Sequence, residues 1–140
     1  MKEKGSIRII DIISFVIGLS LAVGVKLIFH ACAPMEDGHF MNCHKAENAA
    51  MVTGSLIAAS VIVRYAVKIR SVQTSSFVVQ IVLAIITVFI PGVIIRLCGM
   101  ADMRCRSLMR PAVIILAVFA ALAGVAGVLM SLRGSAGKEE

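Results

Sequence analysis

The chain has 140 residues, of which 59% are hydrophobic and 16% charged, with no tryptophan. Soluble domains are roughly half apolar and about a quarter charged, so this composition argues against an ordinary water-soluble globule. Fourteen Lys and Arg against eight Asp and Glu give a net charge of +6. Those cations flank apolar runs and form no stripe interleaved with aromatics, which fits membrane lipid as a contact and not nucleic acid.

A helix needs about 20 apolar residues to cross the hydrocarbon core. Residues 9–29 meet that length, broken only by Asp11 near the start and Lys26 near the end, where a long stem can snorkel. Lys2, Lys4 and Arg8 before this run and Ala31-Cys32-Ala33 after it outline a secretory signal. The apolar stretch is too long for a typical signal core, and Pro34 directly after the cut would block cleavage. Phe29-His30-Ala31 is also a poor lipobox before Cys32, so an uncleaved anchor helix is expected.

A polar loop follows, holding His30, Cys32, His39, Cys43 and His44 with Glu36, Asp37 and Glu47. The second span is predicted over 49–67, with Arg64 close to its end. The third is predicted over 77–95, with Gln80 near its start and a kink or unwinding at Pro91-Gly92. A second polar loop carries Cys98 and Cys105. The fourth span, 111–132, opens on Pro111, tolerated in a first helical turn. The expected architecture is therefore all-α: an integral membrane four-helix bundle, one domain over 1–140, with two cysteine-containing extracytoplasmic loops.

Small residues recur four apart at Ala50, Gly54 and Ala58, at Ala120 and Gly124, and at Ala123 and Gly127. Such ridges let backbones approach closely where lipid offers no hydrophobic drive. They serve packing inside the bundle or, at Gly124 and Gly127, a ridge facing a partner.

Four spans put both ends on one side. With the termini inside, eight cations (Lys2, Lys4, Arg8, Arg64, Lys68, Arg70, Arg133, Lys138) face six (Lys26, Lys45, Arg96, Arg104, Arg106, Arg110). That excess favours cytoplasmic termini for a multi-pass protein of the cell membrane. The clustering of every cysteine on the other face agrees, because paired cysteines persist in an oxidising compartment.

Both loops repeat a theme, a cysteine followed by Met-x-Cys: Cys32 then Met41-Asn42-Cys43, and Cys98 then Met103-Arg104-Cys105. Four cysteines allow three connectivities. The economical one joins Cys32 to Cys43 and Cys98 to Cys105, each closing its own loop, at roughly 2.5 to 3 kcal/mol per unstrained bridge. A soft-metal site is the alternative. Met41, Cys43, His44, Met103 and Cys105, with Met35, Met100 and Met109 nearby, offer sulfur and imidazole donors suited to copper or zinc. The close cysteine spacing of structural zinc sites is missing. Covalent haem is not indicated, since Phe40 stands where the attachment motif needs a cysteine.

Quinone-linked disulfide-forming enzymes and vitamin K epoxide reductases share the four-helix plan, but both use a Cys-x-x-Cys pair that is absent here. Arg96, Arg104, Arg106 and Arg110 would lower a nearby thiol's pKa, which keeps a thiol-disulfide oxidoreductase open as an alternative. Arg104 and Arg106 equally suit lipid phosphates, the acidic first loop or an acidic partner. No nucleotide loop, paired-carboxylate site or serine nucleophile with a base is present. Asp11 and Arg64 are the only deep ionisable residues within the spans, too few for an autonomous transporter.

Met41-Asn42-Cys43-His44, Ile90-Pro91-Gly92, Cys98-Gly99, Met103-Arg104-Cys105 and Pro111 together resemble a bacterial family of small four-span proteins designated a domain of unknown function (DUF4418). The resemblance covers nearly the whole chain and implies the fold without a chemistry. Members of that family often accompany permease and ATPase subunits of exporters resembling the macrolide-type ABC class, which implies an accessory role. Only Pro34 follows Cys32, fewer prolines than the family shows before its first loop motif. The expected function is a non-enzymatic accessory subunit, free of cofactor, that docks on an ABC exporter through its spans and disulfide-stapled outer loops.

Overall fold

In the computed structural model, the described residues form four long helices: α1 (Lys2–Leu27), α2 (Asn42–Ala66), α3 (Arg70–Phe89) and α4 (Arg110–Ala136). The structure describes residues 2–28, 38, 42–95 and 105–137; side chains at 2–4, 42, 43, 105, 106 and 135 are outside the description. All four helices contain a segment long and apolar enough to cross a membrane, at Gly5–Leu27, His44–Ala66, Arg70–Phe89 and Ser107–Gly134. The chain is therefore an all-α, four-helix, multi-pass membrane protein.

Adjacent helices run antiparallel. The pairs α1–α2 and α3–α4 pack most extensively, and α1–α4 with α2–α3 close the ring. The core is narrow and rich in small residues: Ala46, Ala50, Ala84 and Ala120 are fully buried beside Leu21, Val25 and Ile57. Large aliphatics such as Val16, Ile62, Val82 and Leu122 face outward on all four helices. An apolar exterior of that extent matches hydrocarbon, not water.

Glycine sets the closest approach. A Cβ on Gly54 would stand 2.8 Å from the Ala22 nitrogen and Leu21 Cβ, and 2.9 Å from the Gly18 carbonyl oxygen. A Cβ on Gly18 would stand 2.9 Å from the Ala58 nitrogen. The Ala50-Gly54-Ala58 ridge is thus used inside the bundle, where α1 and α2 meet backbone to backbone.

Helix bounds differ from the hydropathy reading in ways that physical chemistry explains. The second helix starts at Asn42, seven residues before the apolar run, because Ala46 and Glu47 turn inward with Ala50 and bury there. Cys43, His44 and Glu47 therefore belong to a helical first stretch and not to a loop. The third helix starts at Arg70 after a connection of only 67–69. Its polar opening is held by side chains: Arg70 Nη1 donates to the Gly134 carbonyl at 2.7 Å, and the Thr74 and Ser131 hydroxyls lie 2.6 Å apart.

That helix ends at Phe89, short of the expected 95. Pro91 has no N–H to continue it, and Gly92 adopts φ +116°, open to glycine and strained for any other residue. The chain then closes a turn, with the Gly92 N–H donating to the Ile95 carbonyl and the Ile95 N–H to the Ile90 carbonyl, both at 3.1 Å. The Arg110 guanidinium lies over this turn, 3.5 Å from where a Gly92 Cβ would project. A π-helical turn, Cys105–Met109, precedes α4. Pro111 follows as the second residue of α4, where a missing N–H costs least.

Candidate functional site

The densest chemistry among the described residues is a polar network inside the bundle, toward the end that carries both termini. Helical side chains lean toward their helix's N-terminus. Arg64, near the C-terminal end of α2, therefore reaches inward along the bundle axis. Its side chain is 1% exposed. Arg64 Nε lies 3.1 Å from Asp11 Oδ1 of α1, an ion pair by distance although the N–H is not aligned as a hydrogen bond. Arg64 Nη2 donates to Gln80 Oε1 of α3 at 2.9 Å. Gln80 uses its amide fully, donating to Ser14 Oγ at 3.1 Å and to the Ala120 carbonyl of α4 at 3.0 Å.

One glutamine thus joins all four helices. Gln80, Ser14 and Arg64 are buried at 0%, 0% and 3% exposure. Polar groups at membrane depth are costly unless partnered, so the network is a set of mutual obligations rather than an ornament. Arg64 Nη1 has no hydrogen-bond partner among the described residues. The guanidinium also sits 4.1 Å from the centroid of the Phe77 ring, a cation–π contact worth about 2 kcal/mol when desolvated.

Phe77 explains a glycine. A Cβ on Gly127 would fall within the Phe77 ring's van der Waals envelope, and one on Gly124 would stand 2.7 Å from Ile81 Cγ1. Both candidate partner-binding glycines are thus turned onto α3, the internal packing role weighed against a partner-facing ridge. Gly127→Ala is expected to destabilise by about 1 to 3 kcal/mol, because Phe77, held between Gly127 and Arg64, has nowhere to go. Thermal unfolding in mild detergent would check this; an unchanged midpoint would show that the ring moves freely.

The opposite end carries the backbones of Cys43 and Cys105. Cys32, Cys98, Met41, Met103 and Arg104 lie outside the described residues. Cys43 and Cys105 have helical backbones, in the first turn of α2 and in the π-turn before α4, and their side chains, like that of Arg106, are outside the description. His44 Nδ1 lies 3.7 Å from Glu47 Oε2 one turn on. Met109 is 1% exposed in the hydrophobic core, which removes it from any surface donor set. Among the described residues no group of three His, Cys, Asp or Glu is placed to hold a metal ion.

Hydropathy singled out Asp11, Arg64 and Gln80 as interruptions near span ends, but not that they meet. The signal was their similar depth from one membrane face. Ser14 and Phe77 carried none, since serine and phenylalanine are ordinary in spans.

Four apolar helices held by an internal polar network define a small polytopic helical-bundle membrane protein. Residues 14–130 match the family described as Domain of unknown function (DUF4418), and the chain belongs to that family. No curated protein and no solved structure is matched.

Proposed function

We propose that the protein is a non-enzymatic accessory subunit of a larger membrane complex, with an ABC-type exporter permease and its ATPase as partner. The observation that carries this reading is a groove of about 560 Å³ between α1 and α4, in the half of the bundle nearest the cysteine-bearing end. It is lined by the aliphatics Leu19, Val23 and Ile115 and by the small residues Ser20, Gly24 and Ala112. Small residues flanked by aliphatic ridges are what a second transmembrane helix packs against. The buried ion pair is neutralised within the bundle, which suits a scaffold more than a translocation path.

In this reading both termini are cytoplasmic and the membrane is the bacterial inner membrane. Bridges Cys32–Cys43 and Cys98–Cys105 stiffen the outer loops against the partner's external surface. A photo-crosslinking residue at Val23 or Ile115 in intact cells is expected to capture a permease subunit, and Ala112→Trp, which fills the groove, to abolish capture. No adduct, or one with an unrelated membrane protein, would remove the assignment. Intact mass of the complex before and after alkylation without reductant should show four unmodified cysteines. Alkylated thiols would remove the bridges.

A further inference from the structure

We infer that the groove between α1 and α2 at the terminal end of the bundle is a binding site for one anionic phospholipid. This cavity, about 440 Å³, is lined by polar residues nearer the helix ends and by apolar ones further along α1 and α2. Arg8 and Tyr65 line its mouth, each within about one turn of the end of its apolar span. Phe15 and Val61 line its inner part, with Phe15 about 10 Å deeper than Arg8 at the helical rise per residue. A cation and a phenol at headgroup level above an apolar trough match a phosphate above an acyl chain.

The charge balance selects the headgroup. Asp11 also lines the groove, but its carboxylate is turned onto Arg64 inside the bundle. Arg64 cancels that charge, so the mouth keeps the positive charge of Arg8, and Asp11 is not free to greet a headgroup ammonium. Neither Arg8 nor Tyr65 forms an ion pair or hydrogen bond with another described residue, whereas Arg70 at the same end is committed to the Gly134 carbonyl. Ile12 and Ile62, exposed at 63% and 59%, form the rims an acyl chain would cover. The site is at the opposite end of the bundle from the α1–α4 groove and stands whether or not a protein partner binds there.

The test uses the full chain in mild detergent, with native mass spectrometry during titration of phosphatidylglycerol or phosphatidylcholine of matched chains. Phosphatidylglycerol is expected to bind one per protein and at least severalfold more tightly than phosphatidylcholine. Arg8→Gln should weaken it about fivefold, the effect of one cation at a membrane surface. Arg133→Gln, an exposed cation at the same end but on α4, should change it less than twofold. Ile12→Trp should block the trough and reduce binding while the melting midpoint holds. Equal affinity for the two lipids, equal effects of the two arginine variants, or equal binding of soluble glycerol phosphate would each overturn the assignment. Preserved binding in Ile12→Trp would overturn the trough's role.

Discussion

Replacing Arg64 with leucine is expected to cost the bundle about 3 to 5 kcal/mol, the penalty for stranding a buried charge after its partner is removed. The stranded groups are specific. Asp11 loses the guanidinium 3.1 Å away, Gln80 Oε1 loses its only donor among the described residues, and the Phe77 face loses its cation. The double replacement Asp11→Leu with Arg64→Leu should recover much of the loss, because two apolar side chains need no mutual neutralisation at that depth. Unfolding by titration with a denaturing detergent, followed by circular dichroism, reads both. A single variant as stable as the parent would show the ion pair to be idle, and a double variant no better than the single would assign the loss to packing.

Gly54→Leu should be comparably severe for a different reason. The atoms a Cβ would meet are the Ala22 nitrogen, the Gly18 oxygen and Leu21 Cβ, and backbone cannot rotate aside as a side-chain tip can. The α1–α2 pair must separate, losing the small-residue contact that replaces hydrophobic drive in lipid. A destabilisation of about 3 kcal/mol, at the upper end for overpacked cores, is expected in the same assay. Gly5→Leu, where nothing lies within 4 Å of a Cβ, is the matched control and should be near neutral. Equal midpoints for the two variants would refute the close approach.

Four spans were legible because apolar length is a direct physical requirement of the bilayer, and that requirement is local in the sequence. Helix ends were less legible, since hydropathy marks where hydrocarbon begins rather than where helical hydrogen bonding begins. Asn42 to Asn48 continues α2 past its apolar run on the strength of Ala46 and Glu47 packing inward. Phe89 ends α3 six residues before the apolar run does, and of the kink or unwinding that Pro91-Gly92 signals in the sequence, the chain unwinds. Small-residue spacing identified Gly54, Gly124 and Gly127 as contact points, yet periodicity alone does not say which neighbour fills each notch. The polar network was the least legible part. Asp11, Arg64 and Gln80 are 53 and 16 residues apart along the chain (64 − 11 and 80 − 64), and only the antiparallel topology brings them to one level.

The ion pair also lies wholly within the first two helices, joined across the α1–α2 interface, while Gln80 and Phe77 arrive on α3. During synthesis the leading hairpin can therefore partition into lipid already electrically balanced, before the trailing hairpin exists. The later pair then locks onto it through an amide and an aromatic face, neither of which carries charge across the bilayer.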